Sequence, residues 1–407
     1  MSTPGRRKLA MAMGLILCAA CPESAEAQRF DFAGGAAGSG WRRVPPGQQF
    51  TADAGFGFET FDGATTIFSV AAPEGDYRVT VTPPGGAPLT VWAETRRLMI
   101  EAGTGPQTFT VNVRRPDLAP VPANAPGGAA VRLKDREIGS RSWDDRLTLE
   151  FDGAVSSVEI TPVETPRVFL LGDSTVTDQA GATFASWGQM LPRFLDQGVS
   201  VANHAESGET LKAFIAELRL DKALSQMRPG DVVLIQFGHN DSKTQWPQTY
   251  AEAATTFRSY LRVYIDEVRR RGATPILVTS PHRRTFGPDG RIVNSHGDYP
   301  AAVHAVGREQ DVAVIDLNAA SARIYEALGP ERAPLAFADE GRDATHHNAY
   351  GAYVLARAVA EALRAPGSPL AGHVVDLPPF DPDNPPDPET FPLKPAAPVP
   401  APPPAGS

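Results

Sequence analysis

The chain has 407 residues, of which 42% are hydrophobic and 21% charged, and its formal net charge is −9 at pH 7. These values are ordinary for a soluble globular protein and leave room for two domains. The negative charge argues against a nucleic-acid partner and against electrostatic attachment to anionic membranes. No apolar run reaches the roughly 20 residues that would predict a transmembrane segment.

The first 27 residues have the pattern of a cleaved signal peptide. Residues 6–8 (RRK) supply a positive start, residues 9–20 form a short apolar core, and residues 25–27 (AEA) offer a small-residue cleavage site. The sequence therefore predicts a secreted or periplasmic protein whose mature form begins near Gln28.

Both cysteines of the chain, Cys18 and Cys21, fall inside this segment, so the exported protein would have no thiol and no disulfide. A lipid-anchored start at Cys21 is the rival interpretation. It ranks second because Cys18 occupies a place where an aliphatic residue is expected.

Residues 28–162 predict an all-β sandwich. The segments DYRVTVTPPGG, PLTVWAE, QTFTVNV and RLTLEFDG alternate apolar and polar residues, and they are rich in β-branched and aromatic side chains. Glycine and proline separate them, and no stretch shows helical periodicity. This region contains no histidine.

Residues 163–372 predict an α/β domain. The apolar runs VFLL, VSVAN, VVLIQF, PILVTS and VAVIDL alternate with helical segments, of which TTFRSYLRVYIDEVRRRG has the clearest i, i+3, i+4 spacing. Five strand-then-helix repeats indicate a mainly parallel sheet with helices on both faces. All eight histidines lie between His204 and His373, so chemistry that needs a titratable base is expected here.

Ser174 lies at the end of the first run, in the stretch RVFLLGDSTVTDQ. Loops at the carboxyl ends of parallel strands are where open α/β sheets bind ligands. Gly-Asp-Ser is equally ordinary in turns and at helix starts. Taken alone, Ser174 is therefore either a nucleophile or a turn residue.

Candidate partners for the serine follow in later loops. A serine nucleophile needs a base and an acid that orients the base, and Asp343 and His346 stand three residues apart just before the helical segment GAYVLARAVAEAL. Asp343 is alternatively a helix cap. Together with His347, Asp343 and His346 are alternatively a metal site, but adjacent histidine side chains usually point apart and no further ligand is evident.

A tetrahedral intermediate would also need donors for its negative oxygen. The backbone N–H groups of Ser174 and Gly208 and the side-chain amide of Asn240 follow three different strands and are the candidates for this oxyanion hole.

The order of these loops resembles the SGNH (GDSL-type) esterase family. GDST after the first strand, a glycine after the second, GHND after the third and Asp-x-x-His before the last helix span Pro166 to Leu363. The blocks GDSTVTDQ, NHAESGETLKAF, IQFGHNDSK, HRRTFGPDG and DATHHNAYGA are similar to the rhamnogalacturonan acetylesterase group of carbohydrate esterases. The resemblance implies a three-layer α/β/α flavodoxin-like domain with a five-stranded parallel sheet.

The resemblance also implies roles. Ser174 would be the nucleophile, His346 the general base and Asp343 the residue that orients the base. Gly208 and Asn240 would complete the oxyanion hole. The reaction would use no cofactor and no metal. Glu209-Thr210 replaces the Arg-Ser that often follows the glycine in that group. This departure leaves the catalytic positions intact and concerns the substrate contacts beside them. The candidate substrate-binding residues are Trp187, His239 and Arg284.

The amino-terminal segments FDFAGG and GFGFETFDG resemble galactose-binding-like domains that precede some of these esterases. Trp41, Trp92 and Trp143 are either sugar-stacking platforms or core residues of the sandwich. At the other end, residues 373–407 form a proline-rich tail, with 13 prolines among its last 30 residues. Such a composition predicts an extended, disordered segment.

These observations predict an exported carbohydrate esterase that removes O-acetyl groups from acetylated plant cell-wall polysaccharide or oligosaccharide, most of all rhamnogalacturonan. Acetylated xylan is the rival substrate. Another esterase of the same fold remains an alternative. A lipase is disfavoured because no segment between the catalytic blocks resembles an apolar lid, and Arg283, Arg284 and Asn294 make that region polar. The alternative of a different class is a noncatalytic carbohydrate-binding protein, against which the intact catalytic set argues.

Overall fold

The computed structural model describes residues 27–35, 39–61, 66–118 and 127–399. Of the predicted signal peptide only Ala27 falls in these ranges, so that prediction lies outside the described residues. Within the described ranges, no helix is both long and apolar enough to cross a membrane.

The first part of the described chain consists of strands and turns, as its alternating pattern predicts. In the strand that carries Val158 and Ile160, these two side chains are buried while their neighbours are partly exposed, the period-2 alternation of a half-buried strand. The strands are β1 (Gln28–Asp31), β2 (Trp41–Arg43), β3 (Phe56–Phe61), β4 (Thr66–Ala71), β5 (Gly75–Thr82), β6 (Leu89–Ala93), β7 (Arg97–Gly103), β8 (Gln107–Val113), β9 (Arg146–Asp152) and β10 (Ser157–Val163).

Two layers of sheet pack together in this region. One layer has the order β8-β5-β10-β1-β2 and the other the order β3-β4-β9-β6-β7. Apolar side chains from both layers form one buried cluster, in which the rings of Phe30 and Phe68 meet edge to face with centroids 5.0 Å apart. Trp92 and Trp143 are 3% and 7% exposed, so of the three candidate sugar platforms only Trp41 has appreciable access to solvent.

The second part of the chain alternates strands with helices. Its elements are β11 (Arg167–Gly172), α1 (Trp187–Met190), β12 (Ser200–Asn203), α2 (Leu211–Ala216), α3 (Arg219–Gln226), β13 (Val232–Gln236), α4 (Arg258–Arg270), β14 (Thr274–Val278), α5 (Tyr299–Gln310), β15 (Ala313–Ile315), α6 (Leu317–Arg332) and α7 (Ala349–Leu363). A π-helical turn, Ala253–Phe257, leads into α4. Short 3₁₀ turns lie at Pro84–Gly86, Asp135–Glu137, Arg141–Trp143, Leu191–Phe194, Ala333–Ala336, Asp339–Gly341 and Ala371–His373.

The strands of this second part lie side by side in the order β12-β11-β13-β14-β15, and each pair is parallel. Successive side chains of β11 enter different cores. Val168 and Leu170 join the cluster under α1, α6 and α7, whereas Phe169 and Leu171 join the cluster under α2 to α5. A strand buried on both faces reads as a continuous apolar run, which is why VFLL shows no alternation.

The two parts of the chain share a sheet, which the division at residue 162 did not predict. Val111 of β8 pairs with Val201 of β12 in parallel, so that one ten-stranded sheet runs from the sandwich into the α/β domain. Without β8, β12 would be an edge strand with unpaired backbone groups. The pairing depends on residues about 90 positions apart, which no local pattern records.

The proline-rich tail lies on the protein surface up to residue 399. The ring of Phe391 packs against Tyr353 of α7 with centroids 4.9 Å apart, and the backbone N–H of Ala397 donates to Glu150 of β9 at 2.6 Å. The prediction of disorder is therefore wrong for residues 373–399, because apolar side chains between the prolines pack on the folded domains. Residues 400–407 lie outside the described part of the chain.

Candidate active site

Ser174 follows β11 at the carboxyl edge of the parallel sheet. Gly172 is needed just before it, because a Cβ there would come within 2.9 Å of the Gln236 carbonyl oxygen on the neighbouring strand. Asp173 folds the loop, since its Oδ1 accepts hydrogen bonds from the backbone N–H and the hydroxyl of Thr175, both at 2.9 Å. Ser174 itself is 7% exposed, so little of the residue meets bulk solvent.

Ser174, His346 and Asp343 form a continuous row of hydrogen bonds although the serine is 172 residues from the histidine. His346 Nε2 lies 2.9 Å from Ser174 Oγ, and His346 Nδ1 lies 2.8 Å from Asp343 Oδ2. A neutral imidazole that donates from Nδ1 to the carboxylate presents Nε2 as an acceptor to the hydroxyl. The arrangement can therefore move a proton from the serine to the ring.

Asp343 shapes its own loop as well as orienting the ring. Its Oδ1 accepts from the backbone N–H groups of Thr345 and His346, at 2.6 and 2.8 Å. It is not the cap of α7, because Asn348 fills that position and accepts from the N–H of Gly351 at 3.0 Å. The alternative of a simple helix cap is thereby removed.

The hydrogen bonds around Asp343 also set its charge. Burial raises the pKa of this carboxyl, but the N–H groups and the ring of His346, with the N–H of Thr345, outweigh burial and hold the pKa below its ordinary value. Asp343 is therefore ionised at neutral pH and can stabilise a positive charge on His346. Asp173 is different, since burial raises its pKa to about 6.

Gly208 and Asn240 lie on the two loops that flank the serine loop. Gly208 has φ +83°, a conformation that favours glycine, so the loop after β12 turns sharply at this point. Asn240 follows β13 and is 5% exposed. Its Nδ2 donates to the Glu209 carbonyl at 3.0 Å and its Oδ1 accepts from Lys243 at 2.8 Å, which fixes the amide beside the Gly208 loop.

Asp241 ties the same two loops together from beneath. Its carboxylate accepts from the N–H of Leu211 at the start of α2, at 2.9 Å, and from the N–H of Gly238, at 3.0 Å. Burial raises its pKa to about 7. The two hydrogen bonds of its carboxylate hold the loop that carries Asn240 against the start of α2.

Glu209, one of the two residues that depart from the family pattern, is engaged inside the protein. Its side chain is fully buried and forms ion pairs with Lys134 and, at 3.7 Å, with Arg219. Lys134 also donates to the Ser207 carbonyl at 2.8 Å. Through Lys134, Glu209 thus links the segment that follows β8 to the loop that carries Gly208.

His347 is a buried neighbour of the base. Its Nε2 lies 2.6 Å from the hydroxyl of Tyr325, and burial, with a smaller effect of His346, lowers its pKa to about 3. The side chain packs in the core while that of His346 faces Ser174. In the described ranges, no group of three or more histidine, cysteine, aspartate or glutamate side chains is arranged to hold a metal ion.

The structure does not place all three predicted substrate-binding residues at an accessible surface. Trp187 is completely buried, and its indole N–H donates to Gln236 Oε1 at 2.7 Å. It is a core residue that links α1 to β13, and the prediction of a substrate contact is wrong. The residues around Trp187 mix apolar, small and polar types, so the local sequence does not indicate which way the indole ring faces.

His239 and Arg284 also serve the architecture of the site. His239 is 2% exposed, and its ring meets the ring of His296 edge to face with centroids 4.3 Å apart. Burial keeps the pKa of His239 well below its ordinary value. Arg284 donates to the carbonyls of Gly341 and Asp343, at 2.5 and 3.3 Å. Through these two hydrogen bonds Arg284 positions the Asp343 loop. The sequence around Arg284 did not predict this role.

The sandwich contributes a residue that the sequence did not single out. Arg96 lies in the turn between β6 and β7, with φ +59°, and its guanidinium reaches the loop that follows Ser174. The side chain of Gln179 in this loop donates to the Ser174 carbonyl at 2.6 Å. Arg96 donates to the backbone carbonyls of Gln179, Gly181, Ala182 and Phe184.

Arg97, the next residue, makes a second link from the sandwich. Its Nε lies 2.6 Å from Asp178 Oδ2, and both side chains are 1% exposed. The other oxygen of Asp178 accepts from Asn203 of β12 at 2.8 Å. Removing one partner of a buried ion pair leaves an uncompensated charge, so this contact fixes the two domains to each other.

Comparisons with known proteins identify a family and relatives to which much of this chain is similar. Residues 170–354 match the GDSL-like lipase/acylhydrolase family. The rhamnogalacturonan acetylesterase RhgT of Bacillus subtilis is 40% identical over 222 residues, which cover 51% of this chain and 94% of that protein.

A further relative extends into the sandwich. The uncharacterized esterase YxiM of Bacillus subtilis is 28% identical over 391 residues, covering 87% of this chain and 96% of that protein. The crystal structure of the same YxiM protein is similar with a TM-score of 0.49 and 26% identity, and covers 83% of this chain and 98% of that one.

Proposed function

The chain belongs to the GDSL-like lipase/acylhydrolase family and is a serine-dependent carboxylic ester hydrolase, and we propose that it removes O-acetyl groups from pectin, above all from rhamnogalacturonan. RhgT is named as a rhamnogalacturonan acetylesterase, and the proposal extends that activity to this chain. We further propose that the enzyme is exported and meets its polysaccharide outside the cytoplasm.

The single observation that carries the proposal is the row of hydrogen bonds from Ser174 through His346 to Asp343, at 2.9 and 2.8 Å. Three groups at these distances are what acyl transfer to a serine requires. Each comes from a loop at the carboxyl edge of the sheet, where ligands bind in open α/β folds.

The reaction proposed begins with attack of Ser174 Oγ on the acetyl carbonyl carbon, while His346 Nε2 takes the hydroxyl proton. The negative oxygen that develops is stabilised by the backbone N–H groups of Ser174 and Gly208 and by the amide of Asn240. His346 then returns the proton to the sugar oxygen as the ester bond breaks. Asp343 stabilises the imidazolium throughout.

The second half of the reaction regenerates the enzyme. Water attacks the acetyl-serine, His346 accepts a proton from that water, and the bond from the acyl carbon to Ser174 Oγ breaks with return of the proton to the serine. Acetate leaves. No step requires a cofactor in this scheme.

The direct test is acetate release from a panel of acetylated polysaccharides, comprising rhamnogalacturonan, homogalacturonan and xylan, at equal acetyl content. The highest kcat/KM is expected with rhamnogalacturonan. A clear preference for acetylated xylan would move the proposal to that substrate. No acetate from any polysaccharide, or from an artificial acetyl ester, would overturn the catalytic proposal in favour of a binding protein.

A further inference from the structure

A cavity of about 240 Å³ lies between the sandwich and the α/β domain, beside the loops of the candidate active site. One wall contains Gln179, whose side chain contacts the Ser174 carbonyl, and Ser207, which precedes Gly208. The lining also includes residues of the segment that follows β8, among them Arg114 and Trp143. The volume lies just below the usual range for drug-sized ligands, and we take it as space for one sugar residue.

The shared sheet explains why Arg114 is in this cavity. β8 runs parallel to β12, so its carboxyl end lies at the same edge as the loops of Ser174, Gly208 and Asn240. Arg114 is the first residue after β8. β8 of the sandwich thus extends the parallel sheet by one strand. The guanidinium of Arg114 lies at the carboxyl end of that strand, the edge where open α/β sheets bind ligands.

Arg114 has no hydrogen-bond partner for two of its nitrogen atoms. The residue is 3% exposed, and neither Nε nor Nη1 meets an acceptor in the part of the chain that the structure describes. The guanidinium lies over the ring of Trp143, 4.5 Å from its centroid. Burial lowers the pKa of Arg114 to about 9, which still leaves it protonated at neutral pH.

The three carboxylates that line the cavity, those of Glu137, Asp178 and Glu206, are paired with other cations, and none of them forms an ion pair with Arg114. Glu137 accepts from Arg219 at 3.0 Å, and Asp178 pairs with Arg97 as described above. The remaining acid of the cavity wall, Glu206, accepts from Arg136 at 2.7 Å. Arg136 also donates to the Ser207 carbonyl, so its guanidinium is engaged while that of Arg114 is not.

We propose that this interdomain cavity is a subsite for the carboxylate of a uronic acid residue in the acetylated polysaccharide, with Arg114 as its anion-binding group. The proposal deepens, and rests on, the function proposed above. A planar guanidinium matches a carboxylate with two parallel N–H···O bonds, and the stack on Trp143 fixes its plane. A neutral sugar would leave the buried cation uncompensated.

The first experiment measures binding directly. D-Galacturonate and its neutral counterpart galactose are titrated calorimetrically into the full protein. Galacturonate is expected to bind at least about 10-fold more tightly, because a charge-assisted pair at a buried site is stronger than a neutral hydrogen bond. Equal affinity for the two sugars would overturn the subsite.

The second experiment uses variants. Arg114→Gln should reduce galacturonate binding to the level of galactose, and Arg114→Lys, which keeps the charge but loses the fork, should give an intermediate affinity. Arg115→Gln is the matched control, since that neighbouring side chain is half exposed and pairs with Asp117 instead. If Arg114→Gln does not fold, the sugar preference of the unaltered protein and the Arg114→Lys variant decide the question. Galacturonate binding that survives in Arg114→Gln would contradict the assignment.

The third experiment separates this inference from the proposed function. Arg114→Gln should raise KM for acetylated rhamnogalacturonan oligosaccharides by about 10- to 100-fold more than KM for acetylated xylo-oligosaccharides, which lack the carboxylate. Efficient deacetylation of rhamnogalacturonan without any preference for galacturonate would overturn the subsite alone. Selective galacturonate binding without acetate release would overturn the esterase proposal alone.

Discussion

The α/β domain and the sandwich both reach the candidate active site, but they do so in different ways. The α/β domain supplies Ser174, Asn240 and His346 from loops that end its own strands or begin its own helix, so each lies within a short recognisable motif. The sandwich supplies Arg96 from a strained turn and Arg114 from the end of a shared strand. The comparison indicates that the positions of the reactive residues can be recognised from short sequence motifs. The positions of the residues that support them depend on contacts between segments far apart in the sequence.

The largest effect is expected at the α/β side. Ser174→Ala should abolish acetate release while the melting temperature stays near that of the unaltered protein, because only the attacking oxygen is lost. His346→Ala should be about as damaging, since the two residues act as one unit and their losses do not add. Acetate release per folded molecule is the measurement.

His347→Ala is the control for the base. Its side chain is buried against Tyr325, so the variant should melt earlier but keep most of its turnover per folded molecule. An inactive His347→Ala beside an active His346→Ala would mean that the base is wrongly assigned.

The next effect concerns the oxyanion donor. Asn240→Ala should lower kcat by roughly 100- to 1000-fold with little change in KM, because the amide acts on charge that develops in the transition state. Steady-state kinetics and a melting curve are measured together. A variant that melts early and yet turns over normally per folded molecule would make Asn240 a turn residue only.

A smaller loss of activity is expected from the sandwich. Arg96→Ala removes the donor to four carbonyls in the loop after Ser174 and should lower kcat by roughly 10- to 100-fold through misplacement of the nucleophile. Arg29→Ala on the sandwich surface is the matched control, since Arg29 pairs with the partly exposed Glu159 of β10. Equal kinetics for both variants would mean that the sandwich does not position the serine.

The smallest effect is on acid stability. The pKa of Asp343 is lowered on folding, so its ionised form contributes stability above its ordinary pKa of about 4, and this contribution is lost as the pH falls through the lowered value. The difference in melting temperature between the unaltered protein and Asp343→Asn should therefore shrink below about pH 4. Glu340→Gln, an exposed carboxylate on the same loop, should change the melting temperature little at any pH.

The sequence predicted the parts of the molecule whose signals are local. The runs VFLL and VVLIQF predict buried parallel strands, and the order of Ser174, Asn240 and His346 along the chain indicates loops that meet at one edge. The structure brings His346 within hydrogen-bonding distance of both Ser174 and Asp343.

The remaining features depend on tertiary packing. The local sequence does not distinguish Arg96 and Arg114 from surface arginines. Their roles follow only from the packing of the turn after β6 and of the end of β8 against the α/β domain. The prediction for Trp187 failed because ring exposure is decided by neighbours far along the chain. The prediction of a disordered tail rested on its proline content alone. It gave no weight to apolar side chains between the prolines, such as Phe391, which packs against α7.

The most direct test of the proposed chemistry is covalent labelling with a serine-directed organophosphonate, followed by mass spectrometry of the peptides. We predict one label per chain, on Ser174, with activity lost in proportion to labelling and with much slower labelling in His346→Ala. Activity should persist in the presence of a chelator. A fully labelled Ser174 with activity retained, or inactivation through a label at another residue, would contradict Ser174 as the nucleophile.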